Sequence, residues 1–118
     1  MDSKTTIEEL KNKVKIFCED RNWDQFHHPK DLAIGVITEA SELLEHFRFK
    51  SNEEFEQVLK IKKNEVSEEL ADVLYFVLRL AQKYDIDLTT ELEKKLRKNE
   101  LKYPVGKSKG SNKKYNQI

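Results

Sequence analysis

The 118-residue sequence predicts an all-α protein, a four-helix bundle, on three observations. Apolar residues recur at the i, i+3 and i+4 spacing of amphipathic helices along most of the chain. Three glycines and two prolines in the whole chain leave little material for β-turns. Two stretches, 32–37 and 73–78, are apolar on every side of the helices that they would form, which indicates burial on more than one side. We therefore expect a second copy to complete the bundle in a homo-oligomer.

The helices are placed by their apolar periodicity and their boundary residues. Four are predicted at about 5–21, 29–47, 64–84 and 88–102, with a weaker short helix within 51–63. Pro29 fits the first turn of the second helix, and Asn64 fits the N-cap of the third. Pro104 and the glycines that follow it end the last helix, so 105–118 is expected to be a basic, extended or mobile tail. The length fits a single domain over residues 1–118.

The charges balance overall but are unevenly distributed. Lys and Arg number 22 and Asp and Glu number 22, so the whole chain has no general preference for nucleic acid or for membrane surfaces. Residues 94–114 are strongly basic, and Glu100 is the only acid among them. A basic end on an acidic body suggests that phosphate binds near metal-binding carboxylates.

Neither a disulfide nor a membrane span is predicted. Cys18 is the only cysteine, and its apolar neighbours are typical of a small core residue. No apolar run approaches the ~20 residues of a membrane span, and the amino-terminal residues lack a secretory pattern. We therefore expect a cytoplasmic protein without a membrane partner.

Two pairs of acids at i, i+3 spacing stand out on the second and third helices. They are Glu39 with Glu42, and Glu69 with Asp72. In a chain with 22 acids such pairs arise by chance, and solvent-exposed acids are the simpler interpretation. On the third helix, however, the acids share one strip with Phe76, while the opposite strip, which includes Leu70 and Leu74, is the predicted core face. The acid strip is therefore expected to be at least partly covered.

The acid pairs suit a metal site, because buried carboxylates that face one another repel unless a cation lies between them. Oxygen ligands on two rigid helices favour Mg²⁺, with Mn²⁺ as the alternative, and leave positions for water and a substrate phosphate. A ferritin-like di-iron site needs Glu-x-x-His on two helices. This chain offers Glu42 and His46 at i, i+4 and no later histidine, so the di-iron interpretation is disfavoured.

The only tryptophan of the chain lies in the linker RNWDQFHHPKDL, between the first two helices. A linker that only had to turn would use small polar residues. Tryptophan, phenylalanine and histidine instead supply flat faces and a few hydrogen-bond donors, as a pocket for a ring requires. The alternative is that Trp23 and Phe26 form a hydrophobic staple at the start of the second helix.

Five segments together resemble the MazG-like, all-α nucleoside triphosphate pyrophosphohydrolases, and among these the dCTP pyrophosphatase branch. In chain order the segments are RNWDQFHHPKDL, TEASELLEHFRFK, EELADVLYF, KLRKNELKYPV and SKGSNKKY. The resemblance runs from about residue 17 to 115. It implies a Mg²⁺-dependent homotetrameric enzyme that hydrolyses a nucleoside triphosphate, dCTP or a modified dCTP, to the monophosphate and pyrophosphate.

The resemblance also implies roles for individual residues. The implied metal ligands are Glu39, Glu42, Glu69 and Asp72. Glu42 is the candidate general base, since it lies furthest from the apolar arc of its helix. Trp23 and His27 would hold the base and sugar, while Phe49 stands where the branch has a stacking tryptophan, so base selectivity is expected to be looser. The candidate donors along the triphosphate are Lys95, Asn99, Lys102 and Tyr103, with Lys102 in place of an arginine.

A second class of function stays open. The chain, itself expected to form a homodimer or homotetramer, could be a non-catalytic helical oligomer whose acids are structural and whose basic tail binds RNA or an acidic partner. The enzyme interpretation requires a nucleoside triphosphate and copies of the chain itself, with no nucleic-acid polymer. The two classes differ in whether binding depends on Mg²⁺ or on salt.

Overall fold

The computed structural model describes residues 1–118 and contains helices and turns but no strand, which confirms the all-α prediction. The α-helices are α1 (Ile7–Asp20), α2 (Pro29–Glu45), α3 (Asn52–Ile61), α4 (Lys63–Lys83), α5 (Leu88–Lys102) and α6 (Val105–Ser108). Short 3₁₀ turns lie at Asp24–Phe26 and Tyr115–Gln117. The chain divides into two compact units, Met1–Asp85 with α1 to α4 and Ile86–Ile118 with α5 and α6, and each is described by itself. The short α3 is thus the fourth helix of the first unit.

Several helices begin where side-chain caps satisfy the free backbone N–H groups of the first turn. The Thr6 hydroxyl accepts from the Glu9 N–H at 3.1 Å, and the Glu9 carboxylate accepts from the Thr6 N–H at 3.3 Å, which forms a capping box at α1. Ser51 and Glu54 form the same arrangement at α3. The Asp87 carboxylate accepts a backbone N–H at 2.9 Å and starts α5, whose bounds match the predicted 88–102.

One predicted helix boundary is wrong, and the predicted tail contains short helical turns. Asn64 is not the N-cap of α4, because Lys62 alone joins α3 to α4 and Asn64 already lies in the first turn. The tail is not simply extended, because the Pro104 carbonyl accepts from the Lys107 N–H at 3.0 Å and begins α6. Tyr115 in the last 3₁₀ turn packs edge-on against Tyr103 at 6.1 Å between ring centroids. The residues around Asn64 and in the tail are mostly polar, so apolar periodicity did not predict where these helical turns begin.

The core of the first unit lies along α4, which packs against α1, α2 and α3. Its buried apolar residues are Cys18, Leu32, Val58, Val66, Leu78 and Ala81. The Cys18 thiol lies 3.1 Å from the Tyr75 hydroxyl, as expected for a small core residue with a polar partner. Arg79 is also fully buried, which the sequence analysis did not anticipate.

The close approach of α2 to α4 depends on a glycine in the middle of α2. A Cβ atom added to Gly35 would meet the Phe76 ring at 2.5 Å, closer than real Cβ contacts permit. A glycine inside a helix costs up to about 1 kcal/mol of helix stability relative to alanine. Gly35 is therefore explained by packing rather than by helix propensity.

An apolar surface remains open on the same two helices. The predicted core strip of α4 is only partly covered, since Leu70 is 55% and Leu74 is 43% exposed. On α2, Ile34, Ile37 and Leu44 are 51%, 70% and 57% exposed. The predicted core strip is thus confirmed at Val66 and Ala81, which are buried, and wrong at Leu70 and Leu74 within one chain. None of the helices combines the length and the apolar character that crossing a bilayer requires.

We predict that Gly35→Ala destabilises the first unit, although alanine is the better helix former. Displacing the Phe76 ring overpacks the contact between α2 and α4, which costs about 1–3 kcal/mol. Urea unfolding followed by circular dichroism measures this change. Gly106→Ala is the matched control, since no atom lies within 4 Å of its added Cβ. Equal effects of the two substitutions would contradict the role of Gly35 in packing.

Candidate metal and nucleotide site

The packing of α2 on α4 brings three carboxylates together. Glu39 on α2 and Glu69 with Asp72 on α4 each offer one oxygen, and these oxygens all lie within 4.8 Å of one another. The i, i+3 spacing places both α4 acids on one face, and that face is turned toward α2. Three convergent oxygens at this separation could hold a metal ion.

The carboxylates of this cluster lack the partners that buried oxygens normally have. Oε2 of Glu39 and Oε2 of Glu69 are buried and accept no hydrogen bond. Burial raises the pKa of Glu39 to about 7, and a hydrogen bond with Glu42 together with the charge of Glu42 adds to the effect. Burial and Glu42 likewise raise the pKa of Glu69. Carboxylates that resist ionisation next to unpaired oxygens fit a hard divalent cation.

Glu42 occupies the edge of the cluster rather than its centre. It is exposed, and it does not belong to the group of three whose oxygens converge. It nevertheless acts on the pKa values of both Glu39 and Glu69. The structure thus brings together three of the four acids predicted as metal ligands and leaves Glu42 beside them in contact with solvent.

His46 is a neighbour of the cluster that the sequence analysis set aside. Its Nε2 lies 3.7 Å from Oε1 of Glu69, and each side chain is less than one fifth exposed. A positive charge on His46 lowers the pKa of Glu69 and so opposes the effect of burial. The helical spacing of Glu39, Glu42 and His46 was the signal that could have found it, because i, i+3 and i+7 fall on one face.

The aromatic linker forms a cluster beside the end of α1. The Trp23 ring meets the Phe17 ring at 5.8 Å and the His27 ring at 6.2 Å between centroids, both in edge-on geometry. Trp23 remains 38% exposed and Phe26 is 61% exposed. A staple requires two packed side chains, so this exposure favours the interpretation of the linker as a binding surface.

Two cations of α4 hold this linker. Arg79 donates to Nδ1 of His27 and to a carboxylate oxygen of Asp24, and Lys83 donates to the main-chain carbonyls of the same two residues. Burial, followed by the charges of Arg79 and Lys83, lowers the pKa of His27. Lys83 and then Arg79 hold the pKa of Asp24 below its usual range. Neither cation was predicted as a functional residue, although their i, i+4 spacing beside an apolar stretch is visible in the sequence.

In the second unit, two of the residues predicted to bind phosphate, Lys102 and Tyr103, lie next to Tyr115. The Lys102 ammonium lies 4.8 Å from the centre of the Tyr115 ring, and Tyr103 packs against the same ring. Asn99 is half-buried one turn earlier on α5, and Lys95 is exposed. All of these candidates therefore lie on α5 or directly after it.

The sequence model of the MazG-like family matches residues 34–118, which include all four acids and the second unit. The chain belongs to the MazG-like family. The resemblance inferred from the five sequence segments is therefore confirmed.

This MazG-like chain is similar to proteins of the predicted dCTP pyrophosphatase branch. It is 35% identical over 115 residues to dCTP pyrophosphatase 1 of Rattus norvegicus, covering 96% of this chain and 68% of the relative. The dCTP pyrophosphatase 1 of Homo sapiens is 30% identical with the same coverage. The crystal structure of a pyrophosphatase from Archaeoglobus fulgidus is 40% identical and superposes with a TM-score of 0.80, covering 83% of this chain and 92% of that one.

Phe49 is the more exposed of the two aromatic residues predicted to contact the base in this MazG-like chain. It lies between α2 and α3 and is 89% exposed, with the Arg48 guanidinium 4.7 Å from the centre of its ring. Its φ of 64° is in the left-handed region, which bulky residues seldom adopt. Such backbone strain is typical of binding segments, although it does not itself identify a ligand.

We predict that a divalent cation stabilises the protein more at pH 8 than at pH 5.5. The folded state keeps a proton on Glu39 up to about pH 7, well above the ordinary value of 4.5, so folding retains protons that the unfolded chain has lost. The free energy of unfolding without metal therefore falls as the pH rises through this range, and a bound cation offsets the loss. Calorimetric melting with and without Mg²⁺ or Mn²⁺ at both pH values measures this.

The control for this experiment is Glu68→Gln, an exposed neighbour outside the cluster, which should keep the full metal effect. Glu39→Gln should lose most of it. A stabilisation that is equal at both pH values, or that survives in Glu39→Gln, would contradict the assignment of the cluster as a metal site.

Proposed function

We infer that this chain is a nucleoside triphosphate pyrophosphohydrolase, which splits the bond between the α and β phosphates and releases a monophosphate and pyrophosphate. The observation that carries the proposal is the convergence of Glu39, Glu69 and Asp72, with two buried oxygens that lack partners. Membership of the MazG-like family supports it, as do relatives named dCTP pyrophosphatase 1 that align with nearly the whole chain.

The proposed cofactor is Mg²⁺, with Mn²⁺ as the alternative. Glu39, Glu69 and Asp72 would hold it, and Glu42 at the edge of the cluster would complete the set. The support is the all-carboxylate donor set, which suits hard cations, and the rigid helices that carry it. When bound, the ion would neutralise charge that builds on the phosphates as water attacks phosphorus.

Glu42 is the proposed general base. It is exposed and lies outside the three converging oxygens, so it can contact a water molecule at the edge of the cluster. Alongside burial, Glu42 raises the pKa values of Glu39 and Glu69, so it lies close to both carboxylates. A carboxylate beside the attacking water can take its proton as a general base.

The proposed substrate is dCTP or a modified dCTP, and the support is the similarity to relatives named dCTP pyrophosphatase 1. Trp23 and His27 would contact the base and sugar. Lys95, Asn99, Lys102 and Tyr103 would donate to the phosphates. Phe49 offers a smaller stacking face than tryptophan, so discrimination between bases is expected to be modest. The reaction fits the removal of unwanted nucleotides from the nucleotide pool.

We also propose that the chain associates with itself. Ile34, Ile37 and Leu44 on α2 and Leu70 with Leu74 on α4 leave an apolar surface that a second copy would cover. The sequence resemblance favours a homotetramer, with a homodimer as the simpler alternative. A closed symmetric pairing would let the same surface serve both copies.

A nucleotide panel tests the reaction. We expect a cytosine deoxynucleotide to yield monophosphate and pyrophosphate with Mg²⁺, and the products to disappear with EDTA. The panel contains all dNTPs and NTPs together with 5-methyl-dCTP, and chromatography resolves the products. The same products from many bases would retain the reaction and reject base selectivity. Absence of turnover with Mg²⁺ and Mn²⁺ would favour the oligomer that binds RNA or an acidic partner, with salt-sensitive and Mg²⁺-independent binding.

Substitutions of the clustered acids test whether these residues carry the activity. Glu39→Gln and Asp72→Asn should lower kcat by roughly 100-fold or more, as expected when a group that stabilises charge in the transition state is lost. Glu68→Gln on the same helix should retain turnover close to that of the unmodified chain. Normal turnover in Asp72→Asn would reject the proposed site.

The apolar surface is tested separately. We expect light scattering to give a mass that is a multiple of the 14.0 kDa chain, and Ile37→Glu to reduce it, because a charge on a covered apolar surface is costly. Ile61→Glu is the control, since Ile61 is 77% exposed but lies on α3, outside this surface. A monomeric mass for the unmodified chain would contradict self-association.

A further inference from the structure

Arg79 is the most completely buried charged residue of the chain, and each part of its guanidinium has a partner. Nε donates to Nδ1 of His27 at 3.0 Å, and a terminal nitrogen donates to the Asp24 carboxylate at 2.9 Å. The other terminal nitrogen donates to Gln82 at 2.7 Å. A buried guanidinium is costly unless its donors are satisfied, so this arrangement fixes the groups around it.

Lys83 holds the same segment through its main chain. Its ammonium donates to the carbonyl of Asp24 at 3.1 Å and to the carbonyl of His27 at 2.6 Å. It also lies 3.4 Å from the Asp24 carboxylate and is only 14% exposed. The two cations thus fix both ends of the segment 24–27 to α4, the helix that carries Glu69 and Asp72.

The contact with Arg79 determines where His27 carries its proton. A guanidinium has donors and no acceptor, so the ring nitrogen that it contacts must be unprotonated. Nδ1 of His27 is that nitrogen, which leaves the proton of the neutral ring on Nε2. The ring therefore has a donor on the nitrogen that Arg79 does not contact.

We propose that Arg79 and Lys83 are positioning residues for the nucleotide: they fix the segment that follows Trp23 and keep His27 neutral, with its proton on Nε2. His27 then offers an uncharged donor to an acceptor on the base or sugar, such as a pyrimidine carbonyl oxygen. This inference rests on the proposed function, in which Trp23 and His27 contact the nucleotide.

The charges around His27 come from each element packed against it. Arg79 and Lys83 on α4 oppose protonation, whereas Asp24 in the linker and Asp31 on α2 favour it. Burial adds to the effect of the cations, and the pKa of His27 is lowered. A second proton on the ring would place a donor against the Arg79 donor, so acidification should release the segment and weaken nucleotide binding.

The first experiment is ¹H–¹⁵N NMR of the imidazole rings on the full chain without nucleotide. The chain has three histidines, and His28→Gln and His46→Asn assign the signals. We expect His27 protonated on Nε2 alone in the unmodified chain. Arg79→Met should populate both neutral forms and raise the pKa of His27. A proton on Nδ1 in the unmodified chain, or a spectrum unchanged by Arg79→Met, would overturn the proposal.

The second experiment is steady-state kinetics with Mg²⁺ and the best nucleotide of the panel. Arg79→Met and Lys83→Met should raise KM by roughly tenfold, the scale expected for lost hydrogen bonds, while kcat changes less than about threefold. The acid limb of kcat/KM should move to higher pH in both. Arg79→Lys keeps the charge but not the planar fork, so its pH profile should stay closer to that of the unmodified chain.

Arg97→Met is the matched control, because Arg97 is exposed on α5 and has no assigned role. Circular dichroism shows whether each variant folds. If Arg79→Met does not fold, Lys83→Met alone provides the kinetic test. A fall in kcat at constant KM would overturn the positioning role. If the unmodified chain turns over no nucleotide, the proposed function fails and the nucleotide role of His27 fails with it, whereas the NMR result still decides whether Arg79 fixes the proton.

Discussion

The repulsion among Glu39, Glu69 and Asp72 is the constraint on which the rest of the site depends. Close packing of α2 on α4 brings these carboxylates within 4.8 Å, where burial together with the charges of Glu42 and Asp72 raises the pKa of Glu39 and of Glu69. The packing is rigid because Gly35 allows the Phe76 ring to lie against α2 with no space for a side chain. The acids therefore cannot separate to relieve their repulsion without disrupting the core. A cation held between them would replace that repulsion with attraction, so the proposed site would gain its affinity from the packing that brings the acids together.

Helix α4 carries both polar ends of the proposed site on one strip. Glu69 and Asp72 are followed at helical spacing by Phe76, Arg79 and Lys83, so acids give way to an apolar ring and then to cations. The rise from Asp72 to Arg79 is about 10 Å. One end suits a cation with phosphates, and the other fixes the aromatic segment. In the proposed complex one helix would thus orient the nucleotide, because residues of the same strip would hold its phosphates and its base.

The sequence predicted the features that local rules decide. Capping residues and periodicity placed α5 at its observed bounds, and the i, i+3 acids indicated a shared face on α2 and on α4. Long-range pairing was not predictable in the same way. No role was predicted for Arg79, and an arginine within an apolar stretch commonly extends its charge to solvent. Its burial follows from partners 52 and 55 residues away, and no local pattern reveals them. The exposure of Leu70 and Leu74 was missed for a related reason, since periodicity identifies an apolar face but not what covers it.

Folding would be linked to the proposed association and metal binding, because few residues form the core of this chain. Only six apolar residues are buried, while two helices keep large apolar side chains exposed and hold acids that oppose their own ionisation. A ligand or partner that binds only the folded state adds its binding free energy to that of folding. A second copy on α2 and α4 would cover the apolar side of these helices, and a cation would neutralise the acidic side. The helices that form the site would thus reach full stability only when both are present, which ties the geometry of the acids to the assembled and loaded protein.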